Sequence, residues 1–291
     1  MHVPVLLKEV LNYLNPQSGE NFIDATAGCG GHSLEILKKT EPNGKILGID
    51  ASQEAIENLK NRVRELNLEK RFILVCDNFS HLKEIIERNE FYPVHGVLFD
   101  LGLSTDLLES SGRGFSFMKH EILDMRYNPR TQNLTAGKIV NQYPEEDLKI
   151  FFKDYGGERF AGRIAQAVVK ERKNEEIIMT SQLVKIVRKT LGRRFHVKSL
   201  ARIFQALRIK VNYEMENLHL GLDSALDVLT PHGKIVVLSY HSGEDRIVKR
   251  FFKQEPRIKI ITKKTIKPTL EEIEENFRAR SAKLRVGEKI K

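Results

Sequence analysis

Carboxylates and a glycine-rich turn recur along the first hundred residues at points where short apolar runs end. The segment DATAGCGGHS (24–33) follows one such run, and Asp50 ends the next, 22 residues after Gly28. Glycines between a strand and a helix let backbone approach a ligand closely, and a carboxylate about 20 residues further on suits ribose hydroxyls. The spacing therefore predicts a nucleoside-binding turn, and a tight strand-to-helix turn without a ligand is the alternative.

The turn departs from the dinucleotide-binding pattern, because Ser33 stands where that pattern has its third glycine. We predict that Ser33 is a helix N-cap instead. An adenosyl cofactor without a pyrophosphate is therefore favoured over a hydride-transfer dinucleotide.

Two later apolar runs also end in polar residues. Asp77-Asn78-Phe79 follows the third run, where an amide or carboxylate suits an adenine edge and Phe79 suits its face. Asp100 opens the segment DLGLS after the fourth. Each alone is consistent with an ordinary polar strand end. Parallel strands direct their carboxyl ends to one edge of a sheet, so the four ends together predict one site, with Asp100 near the reacting atoms.

The elements that must position these residues are alternating strands and helices. We predict strands at NFIDAT (21–26), KILGID (45–50), RFILVCD (71–77), VHGVLFDLG (94–102), GKIVVLSYH (233–241), RIKIITKK (257–264) and AKLRVGEKI (282–290). Helical apolar spacing separates them, and MHVPVLLKEVLNYLN is predicted to be an amphipathic helix rather than a secretion signal. The alternation predicts an α/β fold with a doubly wound parallel sheet. Residues 103–215 lack strand patterns, so we expect a helical insertion in a domain built from 1–102 and 216–291.

Composition and charge limit which binding partners and which cell compartment are expected for the protein. The 291 residues carry a net charge of +9, which favours a polyanion such as nucleic acid, with a lysine-rich solvated surface as the alternative. Cys29 and Cys76 give neither a disulfide framework nor a metal-ligand spacing, so we expect no metal and a reducing cytoplasm. No apolar run approaches the roughly 18 residues of a membrane span, so no membrane contact is expected.

Several long motifs are similar to those of one known family. They are HVPVLLKEVL, DATAGCGGHS, GIDASQEAI, DNFSHL, GVLFDLGLST, GRGFSFM, LDMRYNP, YGGERFAGRIAQAVV, FQALRIKVNYEMENL, LSYHSGEDRIVKRFF and RARSAKLR. On these stretches the chain resembles the ribosomal RNA small subunit methyltransferase H family, also called MraW. The resemblance implies a class I, Rossmann-like methyltransferase with a helical insertion. It also implies that S-adenosylmethionine is used to methylate the N4 amino group of the cytosine at position 1402 of 16S rRNA.

The resemblance further implies which residues bind the cofactor. They are Gly30, Gly31, His32, Asp50, Phe79, Asp100 and Leu107. The family usually has Gln at the last of these positions, so only the Leu107 backbone is expected to make the contact. Cys29, Gly243 and the run HVKSLARIFQALRI also depart from the family pattern, which concerns details of RNA contact rather than the reaction.

Methylation of an amino group requires alignment of donor and acceptor and a group that takes the departing proton. Asp100 and the backbone carbonyls of Leu101 to Ser104 are the candidates at the expected strand end, and Asp100 is the predicted catalytic residue. Related amino methyltransferases carry an Asn/Asp-Pro-Pro-aromatic motif there, and its prolines are missing from this chain. Cofactor positioning is therefore the alternative role of Asp100.

Aromatic and basic residues of the motifs are candidates for RNA contact. Phe115, Phe117 or Tyr240 would stack on an unstacked base, or else pack the insertion against the core. Arg113 and Arg126 are candidate phosphate contacts. His241, directly after the fifth strand, is either an active-site residue or a structural histidine.

Positive charge is concentrated in one part of the insertion. Between Ile177 and Tyr213 nine basic side chains occur without an acidic one: Lys185, Arg188, Lys189, Arg193, Arg194, Lys198, Arg202, Arg208 and Lys210. We name this set the basic strip and predict that it contacts RNA, with a solvated surface as the alternative.

Two other functions stay open at this point. One is an adenosylmethionine enzyme that acts on DNA or protein, and the other is a methyltransferase fold retained as an RNA-binding assembly factor without catalysis. The complete set of Gly30, Asp50, Phe79 and Asp100 argues against the second. The expected partner is 16S rRNA in the small ribosomal subunit, and a homodimer is left open.

Overall fold

The computed structural model describes residues 4–291. Residues 1–3, which include the first two residues of the HVPVLLKEVL motif, and the side chains of Thr105 and Asp106 lie outside the described part. The chain divides into two compact units. The first joins Met1–Gly102 to Met215–Lys291, and the second is Leu103–Glu214. The second unit is therefore inserted into the sequence of the first.

A seven-stranded sheet forms the first unit, in the order β3-β2-β1-β4-β5-β7-β6. Its strands are β1 (Phe22–Asp24), β2 (Ile46–Asp50), β3 (Phe72–Cys76), β4 (Val94–Asp100), β5 (Leu229–Ser239), β6 (Ile258–Ile260) and β7 (Lys283–Lys289). The strands from β3 to β5 in this order pair in parallel. β1, β2 and β4 are almost entirely buried, as expected for apolar runs covered on both faces. The predicted α/β fold is confirmed.

β7 differs from the prediction of a parallel sheet. It lies between β5 and β6 and runs antiparallel to both. A parallel crossover needs a connecting element that packs across the sheet, and the only α-helix described between β6 and β7 is the six-residue segment Leu270–Glu275. The chain therefore turns back, and β7 runs antiparallel between β5 and the edge strand β6.

The α-helices of the described residues cover the sheet and build the second unit. In chain order they are α1 (Leu7–Leu14), α2 (Gly31–Lys39), α3 (Gln53–Glu65), α4 (Leu82–Asn89), α5 (Thr105–Glu109), α6 (Ala136–Gln142), α7 (Glu145–Asp154), α8 (Ala161–Glu171), α9 (Thr180–Leu191), α10 (Val197–Asn212), α11 (Glu214–Val228), α12 (Ser242–Gln254) and α13 (Leu270–Glu275). No helix within residues 4–291 is both long and apolar enough to span a membrane.

Each unit has its own hydrophobic core. One face of the sheet packs around Phe99 with residues of α4, α11 and α12, and the other packs around Phe22 with residues of α1, α2 and α3. In the second unit, apolar faces of the helices from α6 to α10 meet around Phe152, Ile164 and Leu207. The sheet unit thus has two apolar layers, while the helical unit has one.

Candidate active site

The carboxyl ends of β2, β1 and β4 lie side by side, because these strands are neighbours with the same direction. The strand order reverses at β1, since β2 lies on one side of it and β4 on the other. Ligands of open α/β sheets bind outside the carboxyl ends at such a reversal. Asp24, Asp50 and Asp100 are the last residues of these three strands. The sheet therefore brings together carboxylates far apart in sequence.

The glycine-rich turn is organised around Gly28. Its backbone N–H donates to Asp50 Oδ2 over 2.9 Å. Its φ is +49°, a conformation that favours glycine, and a Cβ built there would meet nothing closer than Thr26 O at 3.9 Å. The open side of Gly28, next to a carboxylate, is a place where a ligand fits directly against backbone.

Gly30 and Gly31 face packed side chains instead of open space. A Cβ on Gly30 would collide with the Leu59 side chain, and one on Gly31 would come within 2.7 Å of Pro4 Cγ. The Leu59 and Pro4 side chains would have to shift to admit a Cβ at these positions, and the φ of +76° also favours glycine at Gly30. Their contacts with a cofactor, which the family resemblance implies, stay predictions for backbone atoms.

The predicted N-cap role of Ser33 is wrong. The N-cap residue of α2 is Gly30, and Ser33 lies inside the first turn, where its hydroxyl donates to Asp24 Oδ2 at 2.5 Å. Asp24 is 2% exposed and also accepts a hydrogen bond from the Thr26 N–H at 3.2 Å. Burial raises the pKa of Asp24, and the Ser33 hydrogen bond opposes that shift. Asp24 thus connects β1 to α2.

Asp50 accepts a backbone hydrogen bond on each carboxylate oxygen. Gly28 donates to Oδ2, and the Ser52 N–H donates to Oδ1 over 2.8 Å. Burial raises the pKa of Asp50, while the two N–H donors lower it. Each oxygen has a second lone pair, so the carboxylate can still accept ribose hydroxyls. The geometry fits the role predicted from the spacing.

Asp100 forms a hydrogen bond through its backbone N–H, and its carboxylate contacts two other side chains. Its N–H donates to Thr26 Oγ1 over 2.6 Å, and the Tyr240 hydroxyl donates to its Oδ1 over 2.8 Å. Its Oδ2 lies 3.5 Å from His32 Nδ1, and 23% of the side chain is exposed. Burial, followed by the Asp100 charge, raises the pKa of Tyr240 well above its usual value, so Tyr240 stays a donor at neutral pH. The Asp100 carboxylate is therefore held in one orientation by Tyr240 and is still partly exposed to solvent.

His32 is buried at the start of α2 and contacts two other segments. Its Nε2 lies 2.9 Å from the carbonyl oxygen of Val5. Because a carbonyl oxygen only accepts, Nε2 carries a hydrogen. The ring therefore lies between the N-terminal segment and Asp100.

The third strand end is held together mainly by local contacts. Asn78 caps the short 3₁₀ helix Phe79–His81 by accepting the Ser80 N–H at 2.9 Å. Burial raises the pKa of Asp77, but hydrogen bonds from His81 and then from the Asn78 N–H outweigh burial, so that the pKa lies below its usual value. Phe79 packs edge-on against Phe99 with ring centroids 5.5 Å apart. Phe79 is only partly buried. Its contact with the cofactor is still a prediction.

His241 and Glu244 form a cap at the start of α12. His241 Nδ1 accepts the N–H groups of Gly243 and Glu244, while Glu244 Oε2 accepts those of Tyr240 and His241. Glu244 Oε1 is 3.1 Å from His241 Nε2, although the angle is not that of a hydrogen bond. Sequence reasoning missed Glu244, which places Tyr240 for its contact with Asp100. A carboxylate three residues after a candidate cap was the available signal.

Most of the predicted RNA-contacting residues of the loops in the helical unit are engaged internally. Phe115 is buried and stacks on Tyr127. Arg113 donates to the carbonyls of Arg126 and Tyr127, and Arg126 forms a two-pronged ion pair with Asp124. The packing interpretation fits Phe115, and the two arginines stabilise a loop.

Leu107 belongs to the helical unit. Its side chain is buried in the core of that unit. Its backbone N–H donates to Ser104 Oγ at 3.3 Å. The predicted backbone contact with the cofactor stays a prediction.

A basic groove of about 580 Å³ lies on the helical unit between residues 117–120 and α9. It is lined by Phe117, Met118, Lys119, His120, Ser181, Val184, Lys185, Arg188 and Lys189. These described lining residues include no acidic side chain, and Met118 is 79% exposed. The lining of the groove combines apolar side chains with positive charge.

The sheet order and the carboxylates at its reversal define a Rossmann-like methyltransferase fold. A Streptococcus mutans protein, assigned to the methyltransferases and solved in complex with SAH, has a similar structure with a TM-score of 0.50. The alignment covers 99% of this chain and 100% of that one at 11% identity. At that identity the likeness shows the fold alone.

The chain belongs to the MraW methylase family, whose sequence model matches residues 1–290. It is 42% identical to the ribosomal RNA small subunit methyltransferase H of Carboxydothermus hydrogenoformans, over 99% of this chain and 98% of that protein. The protein of the same name from Dictyoglomus turgidum is also 42% identical, over 99% of this chain and 97% of its own length. The family predicted from the motifs is confirmed, and the chain is a methyltransferase.

Proposed function

We propose that this methyltransferase uses S-adenosylmethionine to methylate the N4 amino group of the cytosine at position 1402 of 16S rRNA, within the small ribosomal subunit. One observation carries the proposal: in a member of the MraW family, Asp50 and Asp100 are both oriented at the reversal of the sheet, on either side of the glycine-rich turn. The names of the curated relatives support a small-subunit RNA substrate.

The residues at the sheet edge fit an adenosyl cofactor. A Cβ at Gly28 would occupy open space beside the Asp50 carboxylate, so this side of the turn is free for a ribose. Asp50 offers the acceptors that ribose hydroxyls need. When bound, S-adenosylmethionine supplies the methyl group. Asp50 would therefore bind and orient the nucleoside part of the cofactor.

Asp100 is suited to the proton that leaves the cytosine amino group. Its carboxylate is partly exposed, and the Tyr240 hydroxyl fixes the orientation of Oδ1. An oriented carboxylate accepts a hydrogen bond from the amino group, which localises the nitrogen lone pair, and then takes the proton. Asp100 is the proposed catalytic residue, and Tyr240 is the group that positions it.

The helical unit is proposed to bind the RNA. Within the basic strip, Arg202, Arg208 and Lys210 are half-buried: Arg202 pairs with Glu158, Arg208 pairs with Glu214, and Lys210 lies over the Phe151 ring. Arg188 lies over the Phe195 ring but stays exposed. The exposed remainder of the strip consists of Lys185, Arg188, Lys189, Arg193, Arg194 and Lys198. Three of these also line the basic groove. We assign phosphate contact to this exposed part and base contact to Phe117 in the lining of the groove.

Nucleoside analysis tests the proposed reaction. Small subunits that lack the modification are incubated with the protein and isotope-labelled S-adenosylmethionine, and the RNA is digested and analysed by mass spectrometry. We expect labelled N4-methylcytidine. A subunit with another base at position 1402 is the matched control and should stay unlabelled. Label on cytosine C5, on ribose or on protein would contradict the proposal, and cofactor binding without product would favour an assembly factor.

Two further assignments follow from this substrate. An enzyme of ribosomal subunits is expected in the cytoplasm, where fractionation would find it with small-subunit particles. Sedimentation velocity distinguishes a monomer from the homodimer that the sequence left open.

A further inference from the structure

The N-terminal arm, residues 4–6, lies directly on the glycine-rich turn. Pro4 occupies the space in which Gly31 would need to place a Cβ. Val5 is buried, and Leu6 is 1% exposed. Leu6 also has φ of +52°, a conformation that non-glycine residues adopt only when their surroundings impose it. The arm is therefore a packed part of the site.

Two hydrogen bonds fix the arm, one to Glu272 on α13 and one from His32 on α2. The Leu6 N–H donates to Glu272 Oε1 over 2.6 Å, across 266 positions of sequence. The Val5 carbonyl accepts from His32 Nε2 at 2.9 Å. Glu272 on α13 thus determines where the arm lies, and the arm presents the acceptor that orients the His32 ring.

The orientation of His32 bears on the catalytic carboxylate. With Nε2 directed at Val5, the other ring nitrogen, Nδ1, lies 3.5 Å from Asp100 Oδ2, the distance of an ion pair when both ring nitrogens carry a hydrogen. The other oxygen of Asp100 is bonded to Tyr240. A continuous series of contacts therefore runs from Glu272 through Leu6, Val5 and His32 to Asp100.

We propose that Glu272 is a positioning residue for the methyl-transfer site, which acts through the N-terminal arm and His32 on the orientation of Asp100 and on the wall of the cofactor site. The inference rests on the proposed function, because it assigns the cofactor and the reacting carboxylate to this sheet edge. Glu272 touches neither of them itself. Its carboxylate is used to fix the arm against the turn.

Three variants of α13 test the proposal. Glu272→Ala removes the acceptor for the Leu6 N–H, Glu272→Gln keeps an amide oxygen there, and Glu271→Ala removes an exposed neighbouring carboxylate of the same helix. A net hydrogen bond corresponds to about a two- to tenfold change in an equilibrium constant. We expect Glu272→Ala to raise the Kd for S-adenosylmethionine and lower kcat by about that factor, with KM for the small subunit unchanged. Glu272→Gln should restore both values, and Glu271→Ala should match the unmutated protein.

A spectroscopic measurement observes the contact between the N-terminal arm and His32 directly and does not depend on methylation activity. In protein labelled with ¹⁵N-histidine, the buried Nε2–H of His32 is expected to give a slowly exchanging proton signal. Glu272→Ala should speed its exchange, while Glu271→Ala should not. An unchanged His32 signal would overturn the proposal even if activity fell, because the effect would then reach the site by another route.

A double-mutant cycle decides whether Glu272 acts through His32. Residues in one network give non-additive effects, so Glu272→Ala should change the cofactor Kd much less in a His32→Ala background. Additive effects would overturn the proposal. Melting temperatures of all variants separate loss of folding from loss of positioning. Failure of the unmutated protein to bind S-adenosylmethionine would instead contradict the proposed function.

Discussion

The two compact units carry their charged groups in opposite ways. In the sheet unit, Asp24, Asp50 and Asp100 each accept hydrogen bonds from nearby N–H or O–H groups, at fixed strand ends. In the helical unit, Lys185, Lys189 and their neighbours in the basic strip project from exposed helix faces. Fixed carboxylates define one geometry for a small ligand, whereas exposed cations attract a polymer whose phosphates lie at many positions. The carboxylates of the sheet unit thus suit the proposed cofactor, and the basic residues of the helical unit suit the proposed RNA.

The largest expected effect comes from breaking the fixed geometry at the centre of the sheet edge. Asp100→Asn keeps the shape of the side chain but removes its ability to take a proton. We expect kcat to fall by about 10²- to 10⁴-fold, the usual contribution of general base catalysis. The measurement is single-turnover methylation of small subunits, with Glu65→Ala on the exposed end of α3 as the control. A decrease of less than a few-fold would leave Asp100 only the cofactor-positioning role.

A smaller effect is expected at the neighbouring strand end. Asp50→Ala removes a charged acceptor, a loss of about 1.5–3 kcal/mol, so the Kd for S-adenosylmethionine should rise about tenfold or more. RNA affinity should not change, since the basic strip is intact. Isothermal titration with cofactor and filter binding with RNA measure the two separately. Unchanged cofactor affinity would remove Asp50 from the site.

The helical unit should respond to salt, whereas the sheet unit should not. If Arg193 and Arg194 neutralise phosphates, log affinity for RNA falls linearly with log salt, with a slope of about 0.7–0.9 per contact. Arg193→Ala with Arg194→Ala should reduce that slope and leave cofactor binding unchanged. Lys149→Ala with Lys153→Ala on α7 is a control of equal charge. Equal slopes for the two double variants would mean that these arginines contact solvent only.

The smallest effect concerns an ion pair inside the helical unit. Burial raises the pKa of Asp124, but the Arg126 hydrogen bonds outweigh it and leave that pKa below its usual value. A carboxyl group whose pKa is lower in the folded state stabilises that state at a pH above its pKa in the unfolded chain, which is about 4. This stabilisation is lost as the pH falls from about 4 through the pKa of the folded state. Asp124→Asn should therefore lower the melting temperature at pH 7 but much less near pH 3. An equal loss at both pH values would contradict the ion-pair explanation.

Local sequence patterns predicted the parts of the site that depend on strand ends. Asp50 and Asp100 follow continuous apolar runs, and a buried parallel strand both requires such a run and fixes where it stops. The insertion was visible for a similar reason, because strand patterns are absent between Gly102 and Met215. Residues whose position follows from one strand and its end were therefore accessible to sequence reasoning, while their roles stay predictions.

Contacts between residues far apart in the sequence could not be predicted from local sequence patterns. The pairing of Leu6 with Glu272 and of Tyr240 with Asp100 depends on which elements the folded sheet brings together. Ser33 was misassigned because its hydroxyl is equally suited to a cap and to a buried carboxylate, and only the position of Asp24 decides between them. The direction of β7 likewise depends on its neighbours β5 and β6 rather than on its own residues.

The position of the helical unit in the sequence sets the order in which the protein is made. β4 pairs with β1 on one side and with β5 on the other, yet the whole second unit and α11 are synthesised between β4 and β5. At about 5–20 residues per second, translation of that stretch takes on the order of ten seconds. During this time one edge of a strand that is mostly buried in the finished sheet has no partner, and an unpaired strand edge is prone to pair with other chains. The helical unit must therefore fold on its own core while the sheet is still half built, and variants that delay it would be lost to aggregation of nascent chains before any effect on methylation appears.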